Sequence, residues 1–405
     1  MSAQFLIGVR RRPAMWMIGG TLASLAVSGY FYITHSSSPE SRLAQSRKLS
    51  THPTQALVLV RSAIRATQGN FPEAQILECQ LLLALNRGRE ASGLFSQIRD
   101  PENCDPEELC QLAEQAQTAG ELALSSHAFL AAGELVHRSP KRLKCLIFVL
   151  YSQSDNETYA DRILKLCRDY ARLESADPFP WLVSASLYHE RGIPNLAAEA
   201  YRGALKCQLP PEELFRVRFQ LIQLSMLLGD LLQARENCTA LLAESQSSAS
   251  LRNVNALNAE LLLREGKSAE AREQFDKLLE ANPEWTKVLA LRGKCRFELN
   301  DLPGAIRDLS QAAQQNDFDQ QSHYLLGQAY LKQKDAPRAN QHLNRSRELN
   351  ELIAQIFTLE NQLRNDLHNR ELKLRLAELN DRRGDKEKAA AWRRGAEKLA
   401  PPAVQ

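Results

Sequence analysis

GKSAEAREQFDKLLEANP, residues 266–283, is the stretch from which the rest of the chain is read. Gly266, Ala271, Phe275, Leu278 and Pro283 stand 5, 4, 3 and 5 residues apart. A step of 34 residues puts Asn300, Ala305, Leu309 and Ala312 in the same places, and a second step gives Lys334, Ala339, Leu343 and Ser346. Upstream within each unit, Ala259, Gly293 and Gly327 are also 34 apart. The spacing inside each unit is that of an amphipathic helix, and its recurrence at a fixed interval marks a repeat architecture. Proline recurs at Pro194, Pro303 and Pro337, just inside a second helix, where its missing N–H costs nothing. The chain is rich in Leu, Ala, Glu, Gln and Arg and nearly free of β-branched runs, which favours helix over strand.

The fullest unit lies further upstream. Trp181, Ala185, Tyr188, Gly192, Ala197, Tyr201 and Ala204 alternate small residues, where two helices cross, with large ones that fill the space between. This pattern resembles the tetratricopeptide repeat family. The resemblance implies an all-α fold, a right-handed superhelical solenoid of helix-turn-helix repeats. Units are expected near 72, 106, 140, 178, 215, 252, 286 and 320, with Ala56, Val60 and Ala63 as a partial unit ahead of them. The array thus spans 54–353, with the 140–177 unit degenerate and about four residues too long. A helical insertion follows at 354–369, then a last unit at 370–403 and a tail at 404–405. The insertion lacks Pro and Gly, and Leu349, Leu352, Ile356, Leu359, Leu363 and Leu367 keep helical spacing through it, as a partner-binding ridge or a packed cap would.

The N-terminus bears on the compartment. Ala14 to Thr34 (AMWMIGGTLASLAVSGYFYIT) carries no charge and, as a helix, would rise roughly 30 Å, enough for a bilayer core. Arg10, Arg11 and Arg12 precede it, whereas the first charge beyond it is Glu40. The positive-inside bias makes 1–13 cytoplasmic, 14–34 a single-pass inner-membrane anchor, 35–53 a linker and the repeats extracytoplasmic. The alternative is a cleaved signal at Ala26-Val27-Ser28, which would leave a secreted or periplasmic protein. Gly20, Ser24 and Ser28 at four-residue spacing would let two anchors pack, so homo-oligomers are one expectation.

The net charge of +3 is spread over 51 basic and 48 acidic residues without a basic stripe, so no nucleic-acid partner is expected. The eight cysteines form no CxxC pair and the eight histidines no His-x3-His pair, so neither metal nor cofactor is expected. Cys104 and Cys110 could meet across a turn. No phosphate-binding loop, nucleophile elbow or zinc-protease helix occurs, and no enzyme is expected.

The family resemblance implies that partner proteins are held as an extended peptide or helix in the concave groove lined by first helices. Transferred to this chain, the groove places fall on Arg216, Phe219, Gln223 and Met226, then Asn253, Glu260 and Leu263. Lys287, Lys294 and Phe297 follow, then Gln321, Tyr324, Gln328 and Leu331. Phe219 and Tyr324 are the expected anchors, and Lys287 with Lys294 would favour an acidic segment. The carboxylate clamp of the heat-shock co-chaperones is missing, since its places hold Ala256 and Glu260, Ala290 and Lys294, Tyr324 and Gln328. The expectation is a membrane-tethered, non-enzymatic scaffold. Its alternatives are a component of envelope transport or polysaccharide export, and a cytoplasm-facing adaptor.

Overall fold

The computed structural model describes residues 38–49, 51–153, 156–244, 248–366, 369–397 and 399. The apolar span Ala14–Thr34 and the tail 404–405 lie outside the described residues. None of the described helices is long and apolar enough to cross a membrane. Two compact units, 1–175 and 176–405, divide the chain, and the described residues of both are helical, without strand.

The first unit contains α1 (Pro39–Lys48), α2 (Pro53–Ala66), α3 (Pro72–Ala84), α4 (Gly88–Phe95), α5 (Pro106–Thr118), α6 (Leu122–Ala131), α7 (Glu134–Arg138), α8 (Pro140–Ser152) and α9 (Asn156–Leu173). Helices joined by short turns pack in pairs: α1 on α2, α3 on α4, α5 on α6, α8 on α9. Five of these nine begin at proline, whose fixed φ suits the first helical turn. Ala56, Ala63, Ala91 and Ala113 have no exposed surface, and Phe129, Ile147 and Leu150 fill the space between pairs. Cys104 and Cys110 are both buried free thiols.

The second unit contains α10 (Phe179–Glu190), α11 (Pro194–Ala204), α12 (Pro211–Leu228), α13 (Leu231–Glu244), α14 (Ser248–Arg264), α15 (Ser268–Ala281), α16 (Thr286–Glu298), α17 (Leu302–Gln315), α18 (Gln320–Lys332), α19 (Ala336–Asn365), α20 (Arg370–Arg382) and α21 (Lys386–Glu397). Its crossings require small residues. A Cβ on Gly293 would stand 2.7 Å from Leu309 Cγ, and one on Gly327 would stand 2.5 Å from Leu343 Cγ. Ala185, Ala197, Ala259 and Ala271 are fully buried at the same kind of contact.

The turns within pairs obey the same period. Gly266, Asn300 and Lys334, 34 apart, all take left-handed backbone, at φ 80°, 62° and 62°. Glycine is at ease there, asparagine tolerates it, and lysine adopts it only under the constraint of the helices on either side. Just beyond, Asp301 accepts from the Gly304 N–H at 3.0 Å and Asp335 from the Arg338 N–H at 3.2 Å, capping α17 and α19.

At 30 residues, α19 is about 45 Å long, roughly twice the helices around it. Its first half pairs with α18. Its second half carries Leu349, Leu352, Ile356, Leu359 and Leu363 into a separate core with Leu376, Leu379 and Trp392 of the α20–α21 hairpin. The hairpin is therefore displaced along α19 and does not stack directly on the α18–α19 pair. The surface it leaves is built to be wet. Where α17 offers Ile306 and Ala313 to the next pair, α19 has Asn340 and Arg347 at the same places, both exposed. A polar outer face of this kind ends a stack.

Candidate functional site

The first helices of successive pairs lie side by side, α12 against α14, α14 against α16 and α16 against α18. Polar contacts tie this row together across repeats. Arg264 Nη1 donates to the Met226 carbonyl at 3.2 Å, joining α14 to α12. Glu260 on α14 takes Lys287 of α16 at 3.1 Å and its own neighbour Arg264 at 3.3 Å. Lys332 of α18 places its ammonium 4.4 Å from the centre of the Phe297 ring on α16. The Arg264–Met226, Lys287–Glu260 and Lys332–Phe297 contacts each tie one repeat to its neighbour, so the row is held as one face.

The residues expected on this face fall into two groups. Met226 and Leu263 are buried and serve packing. Phe219 is half-buried, its ring stacked at 5.9 Å on Phe215 and packed against the core of Ile222, Leu257 and Leu261. Phe297 is half-buried beneath Lys332. Lys287 is exposed but already paired with Glu260, and Arg216 is paired with Glu213 at 2.9 Å. What stays open is Gln223, Asn253, Gln321, Tyr324 and Leu331, with Lys294 and Gln328 half-exposed between them. Tyr324 and Leu331 are 47% and 44% exposed, seven residues apart on one face of α18, and Leu227, at the end of α12, is 69% exposed.

Three features escaped the sequence. Lys332 and Arg264 bind neighbouring repeats through a ring and a backbone carbonyl, neither of which has a sequence signature. A buried ion cluster joins α15, α16 and α17. Asp308, 2% exposed at its side chain, accepts from Arg292 Nε at 2.7 Å and Nη2 at 2.8 Å and pairs with Arg296 at 2.9 Å. Asp276 accepts from Arg292 Nη1 at 2.8 Å. The third feature is a pair of facing histidines, His323 and His342, 19 positions apart on α18 and α19.

The cysteines are chemically quiet. Burial, with Glu78 beside it, pushes the Cys79 thiol up to about 12. Burial with Glu298 does the same for Cys295, also to about 12, and burial raises Cys238 to about 11. A thiol held protonated is a poor nucleophile and a poor metal ligand. Among the described residues no group of three or more His, Cys, Asp or Glu is placed to hold a metal.

The sequence model of the family described as "Tetratricopeptide repeat" matches residues 257–319 and 291–350. No curated protein matches the chain. Among solved structures, a tetratricopeptide repeat protein from Parabacteroides merdae ATCC 43184 is similar at 18% identity, covering 60% of this chain and 93% of its own, with a TM-score of 0.43. MamA from Desulfovibrio magneticus RS-1 is similar at 17% identity over 43% of this chain and 95% of its own, with a TM-score of 0.35. A structure of Naa15/Naa10 bound to HypK-THB is similar at 15% identity over 90% of this chain and 64% of its own, with a TM-score of 0.46. The matched model, the 34-residue phase of Gly266, Asn300 and Lys334, and the glycines at the crossings agree: residues 257–350 are tetratricopeptide repeats.

Proposed function

We propose that the chain is a scaffold that holds a segment of another protein on the first-helix face of its second unit, tethered to a membrane by Ala14–Thr34. The observation that carries this reading is the exposed pair Tyr324 and Leu331, set on a row of helices already braced by contacts between repeats. A rigid row with an amphipathic aromatic left open is a surface on which a partner can bury area without first ordering the receptor. The matched family is a repeat that serves protein interaction, not a catalytic family.

The partner's anchor would sit at Tyr324 and Leu331, with Gln321 and Gln328 supplying hydrogen bonds to an extended strand or a helix. Phe219 supports the face from within. The charge available to an acidic segment is that of Lys294, because Lys287 is engaged by Glu260. Membrane tethering, with the repeats on the extracytoplasmic side, rests on the arginine triplet before the uncharged span.

Site-specific photocrosslinking tests the face. A photoreactive residue at Tyr324 or Leu331 should trap a partner, whereas one at exposed Arg307, on a second helix, should not. Equal trapping at Arg307 would refute the assignment. An alkaline phosphatase fused at the C-terminus should be active if the repeats are exported, and an inactive fusion sinks the topology.

A further inference from the structure

His323 is buried on α18, 5% exposed, and its two ring nitrogens face different neighbours. Nε2 lies 3.2 Å from the Asp317 carbonyl oxygen and 3.3 Å from Asp317 Oδ1. Both are acceptors only, so Nε2 must carry a hydrogen, and in the neutral ring Nδ1 is then a bare lone pair. Facing it at 3.0 Å is Nδ1 of His342 on α19, which must therefore be the donor. The Tyr330 ring stacks on His342 with centroids 5.8 Å apart and planes 6° from parallel, fixing the orientation. The sole ring nitrogen of the pair left without a hydrogen bond in this arrangement is His342 Nε2. A first added proton goes there without disturbing the others. A second added proton has only the gap between the two Nδ1 atoms, which holds one hydrogen and cannot hold two.

We propose that His323 and His342 form a proton-limited latch between α18 and α19, closed while the pair carries at most one added proton and opened by the second. A polar cavity of about 660 Å³ runs along this contact and gives solvent protons access to it. The groups that face the pair do not relieve the second charge. From α17 come Ser310, Ala313 and Gln314, none of them charged. Asp317, in the turn, favours a first proton, but Arg345 already holds its carboxylate at 2.5 Å, and Arg345 also pairs with Glu348. The Arg338 guanidinium lies 5.7 Å from the Tyr330 ring centre and is paired with Asp335 at 3.3 Å, so this pair brings no net negative charge to the contact. Burial first, and the neighbouring His323 second, hold His342 below the usual histidine range.

The sign follows from linkage. The unfolded pair takes up two protons as pH falls below about 6.5, while the folded pair takes up one. The folded state is thus favoured above that pH and loses about tenfold in its folding equilibrium per pH unit below it, until the latch opens. A ligand held by Tyr324 on the same helix would be released with the latch only if the scaffold reading holds. The titration does not depend on that.

Histidine-ring NMR of the full chain decides the matter. Between about pH 7.5 and 5 the His323 and His342 rings should together take up one proton where two free rings would take up two. In parallel, His342→Asn cannot titrate, and its amide can turn to offer His323 Nδ1 either an N–H or its oxygen, so the folded and unfolded variants each take up one proton at this contact. It should recover about a tenfold loss of folding equilibrium per pH unit in acid. Two rings titrating independently near 6.5, or an acid limb unchanged in His342→Asn, would overturn the latch. Should His342→Asn fail to fold, the wild-type ring titration still gives the answer.

Discussion

Asp308→Ala removes the shared acceptor of two arginines. The aspartate is buried, whereas Arg292 and Arg296 keep 17% and 18% exposure at their side chains and retain Asp276 as a partner. Breaking a buried ion pair from one side costs about 3–5 kcal/mol, because a charge is left desolvated and uncompensated. The residual exposure and the second aspartate place this case at the lower end, about 3 kcal/mol. Asp276→Ala is the matched control. It touches the same arginines, but its carboxylate is 38% exposed, so its loss should cost about 1 kcal/mol or less. For a urea slope of about 3 kcal/mol per M, the expected midpoint shifts are about 1 M and about 0.3 M. Asp308→Asn keeps the shape and one oxygen acceptor, so it separates lost charge from a cavity; about 2 kcal/mol is expected. The assay is urea denaturation followed by far-UV dichroism at two salt concentrations, since a buried pair is screened little and an exposed one more. A shift for Asp308→Ala no larger than that for Asp276→Ala would refute the claim that burial, rather than pairing, sets the cost.

Gly327→Ala and Gly293→Ala should each destabilise by about 1–3 kcal/mol. The added methyl meets Leu343 or Leu309 at the base of its branch, and alanine's higher helix propensity, about 1 kcal/mol, only partly offsets this; a raised thermal midpoint in either variant would show that the crossing can open at little cost. In a thiol-reagent assay near pH 8, Cys79, Cys238 and Cys295 should stay unmodified in the native chain and react on unfolding. Mass spectrometry of the labelled peptides reads this directly, and rapid native labelling of Cys79 would mean that α3 opens far more readily than its burial implies.

Most of the architecture was legible because a repeat states its constraints more than once. Gly293 and Gly327 announce a close crossing by recurring at 34 residues, and the distances to Leu309 and Leu343 supply the reason. Asn300 and Lys334 stand where Gly266 stands, and the left-handed backbone explains why that place is a turn even when it holds lysine. The binding face was less legible. Spacing says which side of a helix a residue occupies, but not whether its neighbour has already claimed it. Lys287 and Phe219 lie on the expected side, yet the first is paired by Glu260 and the second packs on the core through Phe215. Asp308 and the two histidines were invisible for a different reason: their partners come from other helices, and the residue types that meet there are not those of the neighbouring repeat, where Asn258 and Gln274 stand in the places of Arg292 and Asp308.

The same locality governs how the second unit should respond to damage. Each pair touches chiefly the pairs before and after it, so stability is nearly a sum of repeat and interface contributions. The Asp308 cluster draws on α15, α16 and α17 at once, and so couples two repeats through charge as well as through apolar contact. In the next pair the stack ends twice over: Asn340 and Arg347 make the α18–α19 surface polar, and the α20–α21 hairpin packs instead on the extension of α19. That hairpin is attached chiefly through α19, and Phe318 of the main stack braces it, with its ring against Gly384. Gly384 has left-handed backbone at φ 80° as well, so it meets two demands, conformation and space, that no other residue type can satisfy together. The long helix thus does not interrupt the repeat pattern by accident of sequence. It carries the last hairpin clear of the α18 face on which Tyr324 and Leu331 are exposed, and leaves that face uncovered by the chain's own next repeat.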